Sequence, residues 1–117
     1  MSREIYEFSI KSEHIGPFFI YLGIGMLYAI NNRAISPEIG IWTMGMPKVH
    51  EFLAENSLIS DEVRDIFETF DELDAIQQLI PKKFNDIVSE LMERLENELK
   101  VIENPRWDLE WEEKNRS

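Results

Sequence analysis

The fold is decided by the stretch SDEVRDIFETFDELDAIQQLIP, residues 60–81. Ser60 is a residue type that caps helices, and the acidic Asp61 and Glu62 would face the positive end of the helix dipole. Apolar residues recur at intervals of three and four, as expected of one buried helical face. They are Val63, Ile66, Phe67, Phe70, Leu73, Ile76 and Ile80. The pattern predicts one continuous amphipathic helix that Pro81 ends or kinks.

The same stretch carries carboxylates on another face. Acidic residues follow one another at steps of four, three and four, which lines them up along a helix. They are Asp61, Asp65, Glu68 and Glu72, with Asp71 beside them. Like charges at this spacing oppose one another mildly, so the stripe invites a functional explanation. A basic protein partner would supply one. The alternative is a solvated helix face without a partner, together with a C-terminal tail that folds back onto the core.

Further helices are predicted on both sides of this stretch. One follows Ser12 as its cap and ends near Asn31, and others begin at Ser36-Pro37, at Met46-Pro47 and at Pro81. Alternation of apolar and polar residues from Tyr6 to Lys11 predicts a short N-terminal strand or arm. We therefore expect an all-α fold, a single small bundle of about five to six helices over residues 1–104, with an acidic tail at residues 105–117 that holds Trp107 and Trp111.

Two details of the helices predict contacts. Gly23 and Gly25 are costly inside a helix, so we expect another helix to pass close to the backbone at both. Glu90 and Arg94 are four residues apart, which predicts an ion pair within the last helix.

Charge and composition limit the function. The 117 residues carry a net charge of −11 and no cysteine. All of the excess lies in residues 51–117, where 19 acids stand against 8 bases. Such a field repels nucleic acid and anionic membranes and attracts cationic partners. The apolar segment Ile15 to Ile30 has 16 residues, short of a spanning helix, so we expect a buried core helix in a cytoplasmic protein.

Catalytic and metal-binding signatures are missing from the sequence. Neither His14 nor His50 has a glutamate three residues before it, as helical carboxylate-bridged metal sites require. No nucleophile elbow, P-loop or zinc-protease motif is present. Asp74 lies on the border between the polar and apolar faces, where a structural role is favoured over a catalytic one. We expect no enzyme activity, no metal and no cofactor.

Three segments carry a resemblance to a known group of proteins. They are YLGIGMLYAINNRAIS at residues 21–36, the Met46-Pro47 turn and FDELDAIQQLIP at residues 70–81. Together they resemble a family of small, uncharacterised bacterial proteins, over roughly residues 20 to 90. Small acidic domains of this kind are similar to the immunity proteins that neutralise toxins delivered between competing bacteria, in contact-dependent inhibition for example.

The resemblance and the charge together lead to two expectations. The first is a non-enzymatic, immunity-type inhibitor that blocks the active site of a cationic toxin, such as a nuclease. Its contact residues would be Asp61, Asp65, Glu68, Asp71, Glu72, Trp107 and Trp111. The second is a structural or adaptor domain that self-associates through an exposed apolar patch around Phe18, Phe19 and Trp42. A third hypothesis, an enzyme using buried carboxylates, would need a pocket that contains Asp74 or Glu72.

Overall fold

Helices make up most of the protein in the computed structural model, which describes residue 4 and residues 6–44, 47–107 and 109–110. Six α-helices follow one another in this described part of the chain. They are α1 (Ile15–Asn31), α2 (Pro37–Met44), α3 (Pro47–Glu55), α4 (Asp61–Thr69), α5 (Leu73–Leu79) and α6 (Pro81–Lys100). The expected all-α bundle is confirmed.

The centre of the bundle is the packing of α1 against α6, with α4 and α5 also packed on α6. Gly23 of α1 lies at this contact, because a Cβ atom there would stand 2.8 Å from Leu95 Cδ1 and 3.1 Å from Phe67 Cζ. Both of those side chains are fully buried. The predicted close approach at Gly23 is therefore confirmed, and it sets the distance between the central helices.

The continuous helix predicted for residues 60–80 is interrupted, and Ile80, predicted on its buried face, is 44% exposed. A 3-10 turn, Phe70–Glu72, separates α4 from α5. Phe67, Phe70 and Leu73 are all completely buried, and they are three residues apart. Three residues make one full turn of a 3-10 helix but fall short of one α-helical turn, so tightening the helix keeps all three side chains on the core side.

The predicted helix ends are mostly confirmed. Ser60 caps α4, since its hydroxyl accepts a hydrogen bond from the backbone N–H of Val63. α1 ends at Asn31, and Arg33, two residues later, has a left-handed conformation with φ of 60°. Ser12 is not a cap, because it lies inside a 3-10 turn, Ser12–His14, that leads directly into α1.

The two ends of the described chain meet. Strand β1 (Ser9–Ile10) pairs antiparallel with β2 (Leu109–Glu110), so the predicted N-terminal strand has its partner at the far end of the sequence. The segment before β2 lies against α1, where the hydroxyl of Tyr21 donates to the carbonyl oxygen of Pro105 at 2.9 Å.

Candidate functional site

The acidic face comprises the exposed carboxylates of α4 and of the 3-10 turn that follows it. Its members are Asp61, Glu62, Asp65, Glu68, Asp71 and Glu72. They are solvated, as the sequence predicts, because α4 turns Val63, Ile66 and Phe67 toward the core. The acidic face therefore has the exposure that a docking surface needs.

Arg94 reaches the acidic face from α6. Its Nη2 donates to Asp65 Oδ2 at 2.7 Å and also to a carboxylate oxygen of Glu62. The hydrogen bond that Arg94 donates to Asp65 raises the pKa of Arg94, and Glu62 adds to the rise against the opposing effect of desolvation. The predicted pair with Glu90 is wrong, since Arg94 binds α4 instead of its own helix. Sequence spacing within one helix gives no information about a partner on another.

Arg64 is the second internal cation of this region. Its guanidinium pairs with Asp61 and also donates to the carbonyl oxygens of Leu53, Asn56 and Ile59, at 3.2, 3.3 and 2.8 Å. The last carbonyls of a helix lack partners within the helix, so Arg64 completes the end of α3 and the loop after it. Asp61 thereby helps to hold a structural arginine.

The remaining carboxylates of the acidic face have fewer contacts with basic side chains of the described protein. Asp71 Oδ2 lies 3.7 Å from Nδ1 of His50, a half-buried side chain whose Nε2 is buried without a hydrogen-bond partner in the described structure. Glu68 and Glu72 are exposed, and among the described residues neither forms a salt bridge. These two side chains are the part of the face that is available to an external cation.

The charge of the region stays strongly negative after its internal pairs are counted. Residues 61–74 hold seven acids, which are the six members of the acidic face and Asp74, and one base, Arg64. With Arg94 added, seven negative charges face two positive ones, a balance of −5. The ion pairs therefore order the acidic face without neutralising it.

Asp74 has the border position that the sequence predicts. It is half-buried and accepts a hydrogen bond from Gln78 Nε2 at 3.0 Å. This partner lies on the same helix, and within the described part of the chain the carboxylate has neither a helix end nor an arginine as a hydrogen-bond partner. Within the described residues, no group of three or more histidine, aspartate or glutamate side chains is arranged to hold a metal ion.

The two predicted tryptophan anchors have different outcomes. Trp107 lies against α1, with its ring edge-to-face to Phe18 at a centroid distance of 5.1 Å, and remains 38% exposed. It is thus part of an internal aromatic cluster on α1, whereas the carboxylates lie on α4 and the turn after it. Trp111 lies outside the described residues.

The apolar patch predicted around Phe18, Phe19 and Trp42 is wrong for the two phenylalanines. Both are half-buried, and Phe19 packs against the rings of Phe52 and Phe67 at 5.6 and 5.8 Å. Trp42 is exposed, on the outer side of α2.

Fold and surface together define a small helical domain with a braced but strongly acidic face. The chain belongs to the family described as "Protein of unknown function (DUF3969)", whose model matches residues 11–113. The predicted membership of an uncharacterised family is confirmed at this level. No curated protein and no solved structure matches the chain.

Proposed function

We propose that this protein is a non-enzymatic, immunity-type inhibitor that acts in the cytoplasm and binds a cationic protein toxin, such as a nuclease of an interbacterial competition system, through the acidic face. The observation that carries the proposal is the exposure of Glu68 and Glu72 without an internal salt bridge in the described structure. Desolvation of an arginine or lysine against them would not break an existing pair of the fold.

The acidic face would act in two ways. Its surplus negative charge attracts a basic surface over about 8 Å at physiological salt, and opposed fields of this kind raise association rates by about 10 to 1,000-fold. Once bound, α4 would occupy the basic active site and exclude its substrate. This mechanism needs no catalytic group, metal or cofactor on the inhibitor.

The braced carboxylates have a supporting role in this proposal. Asp61 and Asp65 pair with Arg64 and Arg94, so both carboxylates have internal partners before a toxin arrives. A preformed surface loses less conformational entropy on binding than one that has to be ordered. Trp107 and Trp111 would contribute at the margin as apolar anchors.

A charge-reversal experiment tests the contact surface. The partner to use is the protein encoded by the gene beside this one, tested for growth arrest and for protection by co-expression. We expect the double variant Glu68→Lys/Glu72→Lys to associate with it at least about tenfold more slowly in stopped-flow fluorescence at low salt. The matched control is Asp86→Lys/Glu90→Lys, which reverses two exposed carboxylates with the same spacing on α6.

The control separates local contact from net charge. Slower association of the Glu68→Lys/Glu72→Lys variant alone supports the acidic face as the contact. Equal slowing of both variants would assign the effect to net charge, and unchanged rates in both, or a neighbouring protein that causes no growth arrest, would contradict the proposal.

The second candidate function, a structural or adaptor domain that self-associates, is favoured by a different observation. That observation is the exposed apolar surface on the outer side of α1, which takes the place of the patch predicted around Phe18 and Phe19.

A further inference from the structure

The outer face of α1 is apolar, uncharged and exposed. We define it by Tyr21, Leu22, Gly25 and Tyr28, of which the three large side chains are 40%, 38% and 60% exposed. The sequence between Glu13 and Arg33 holds no aspartate, glutamate, lysine or arginine. The stretch Ser12–Asn31 is apolar and long enough to cross a membrane, yet only 39% of its most apolar 18-residue window is buried. The expected core helix thus buries one side and leaves the other open.

No contact within the described protein explains why residue 25 is a glycine. A Cβ atom built there would meet nothing within 4 Å, in contrast to Gly23 two residues earlier. The close helix predicted at Gly25 is therefore not supplied by the described residues. A glycine in the middle of a helix costs about 1 kcal/mol relative to alanine, and nothing inside the described fold offsets that cost. A close approach by a helix from outside would offset it.

We infer that a second copy of this chain covers the outer face of α1, with α1 packed against α1 about a two-fold axis near Gly25. Two copies, each with a charge of −11, repel one another over most of their surfaces. They can meet on this face, which holds no charged side chain of its own. Glu93, Glu96 and Lys100 of α6 line the groove beside Tyr28, at the border of the face. A two-fold contact places the same patch on both sides, so each Gly25 would admit the partner's helix.

The absence of charged side chains on the outer face of α1 also argues against other partners for this face. A charged protein would find no complementary group on the outer face of α1. A helix that lies on a membrane surface has lysine and arginine along its polar border, and α1 has neither. Tyr21 already donates its hydroxyl proton to Pro105, which leaves the ring available for apolar contact.

The size of the face sets the expected strength. A helix of 17 residues is about 25 Å long and roughly 10 Å wide, so the contact covers a few hundred Å² per copy. A standard stable interface needs about 800 Å² per partner. The dimer should therefore dissociate on dilution rather than be obligate, and it is independent of the acidic face on α4.

Sedimentation velocity over a wide concentration series tests the inference. We expect the average mass of the wild-type protein to rise from one chain toward two chains with concentration. Gly25→Leu should weaken this association at least about tenfold, because the new side chain stands where the second helix must approach. A Cβ atom at position 25 meets no described atom within 4 Å, so circular dichroism and the melting temperature should show an intact fold. Ala54→Leu, which adds an exposed leucine on α3, should dimerise like the wild type.

Each contrary outcome identifies a different error. A wild type that stays monomeric at every concentration overturns the inference, and so does a Gly25→Leu variant that dimerises as well as the wild type. Flotation of the monomeric wild type with neutral phosphatidylcholine vesicles would assign the face to a membrane instead. None of these results bears on the charge-reversal test of the acidic face, so the two proposals fail separately.

Discussion

Gly23 and Gly25 show how one residue type can have opposite effects two positions apart in a helix. At Gly23 the missing side chain lets Leu95 and Phe67 pack against the backbone of α1. At Gly25 the same absence leaves a gap, because no atom of the described residues lies within 4 Å of a Cβ placed there. The difference is invisible in the sequence, where both glycines interrupt the same apolar helix.

Alanine at the two positions should therefore change stability in opposite directions. We expect Gly23→Ala to lower the free energy of unfolding by about 1–3 kcal/mol, since overpacking a core costs more than the helix gains. Gly25→Ala should raise it by up to about 1 kcal/mol. Urea denaturation at a concentration where the protein is monomeric measures both, and a change of the same sign at the two sites would contradict the packing described for Gly23.

At the scale of the elements, two arginines hold neighbouring helices together by different means. Arg94 joins α6 to α4 through two exposed carboxylates, whereas Arg64 joins α4 to the end of α3 through three backbone carbonyl oxygens. Exposed ion pairs contribute roughly 0–1 kcal/mol. A backbone carbonyl group that loses its hydrogen-bond partner at a site that water cannot reach lowers the free energy of unfolding by about 1–3 kcal/mol.

Replacing each arginine by methionine separates the two contributions. Methionine keeps most of the apolar stem and removes the guanidinium. We expect Arg64→Met to lower the free energy of unfolding by about 1–3 kcal/mol and Arg94→Met by less than about 1 kcal/mol. High salt should reduce the Arg94 effect by the larger fraction, because salt screens exposed charges whereas most contacts of Arg64 are to uncharged carbonyl oxygens. Equal losses in urea denaturation would mean that the carbonyl contacts of Arg64 are not the main contribution.

How much of these elements the sequence predicts depends on whether the cause is local. Ser60 as a cap and Pro81 as a helix start are local and were predictable. The 3-10 turn at Phe70–Glu72 also has a local signal, because Phe67, Phe70 and Leu73 are three residues apart. Over so few residues, however, a period of three is hard to distinguish from the α-helical period of 3.6, so the sequence predicted a continuous helix.

Contacts between distant segments could not be predicted in the same way. Arg94 pairs with Asp65 instead of Glu90, and β1 pairs with β2 from the opposite end of the sequence, because the folded bundle brings these residues together. The carboxylates of the candidate site were predictable from composition and spacing. Which of them are braced internally was not, since that depends on the packing of α6 against α4.

For the molecule as a whole, net charge makes the two proposed contacts respond oppositely to salt. Raising the ionic strength from about 0.01 to 0.1 M shortens the Debye length from roughly 30 to 10 Å. Repulsion between two copies then falls, so self-association through α1 should become stronger. Attraction between the acidic face and a cationic partner falls as well, so that binding should become weaker. Sedimentation and binding titrations at matched salt concentrations check both signs, and a shared sign would contradict one of the two contacts.

The segment that precedes β2 is a second feature of the whole molecule. Trp107 packs edge-to-face on Phe18 and thereby positions the strand that pairs with β1. We expect Trp107→Ala to lower the free energy of unfolding by about 1–2 kcal/mol and to speed hydrogen exchange in β1. Trp42→Ala is the matched control, since that ring is 65% exposed and should change stability by less than about 0.5 kcal/mol. Unchanged exchange in β1 after loss of Trp107 would show that the strand pairing holds without this ring.

The pairing of Ser9 with Glu110 places the two ends of the fold side by side. A short peptide linker could therefore join them, and new termini could be opened in the exposed loop around Ser57, between α3 and α4. Such a circular permutant would keep every helix intact. Its new N- and C-termini would lie beside α4. A fluorophore or a surface anchor could be attached there while the outer side of α1 stayed unobstructed.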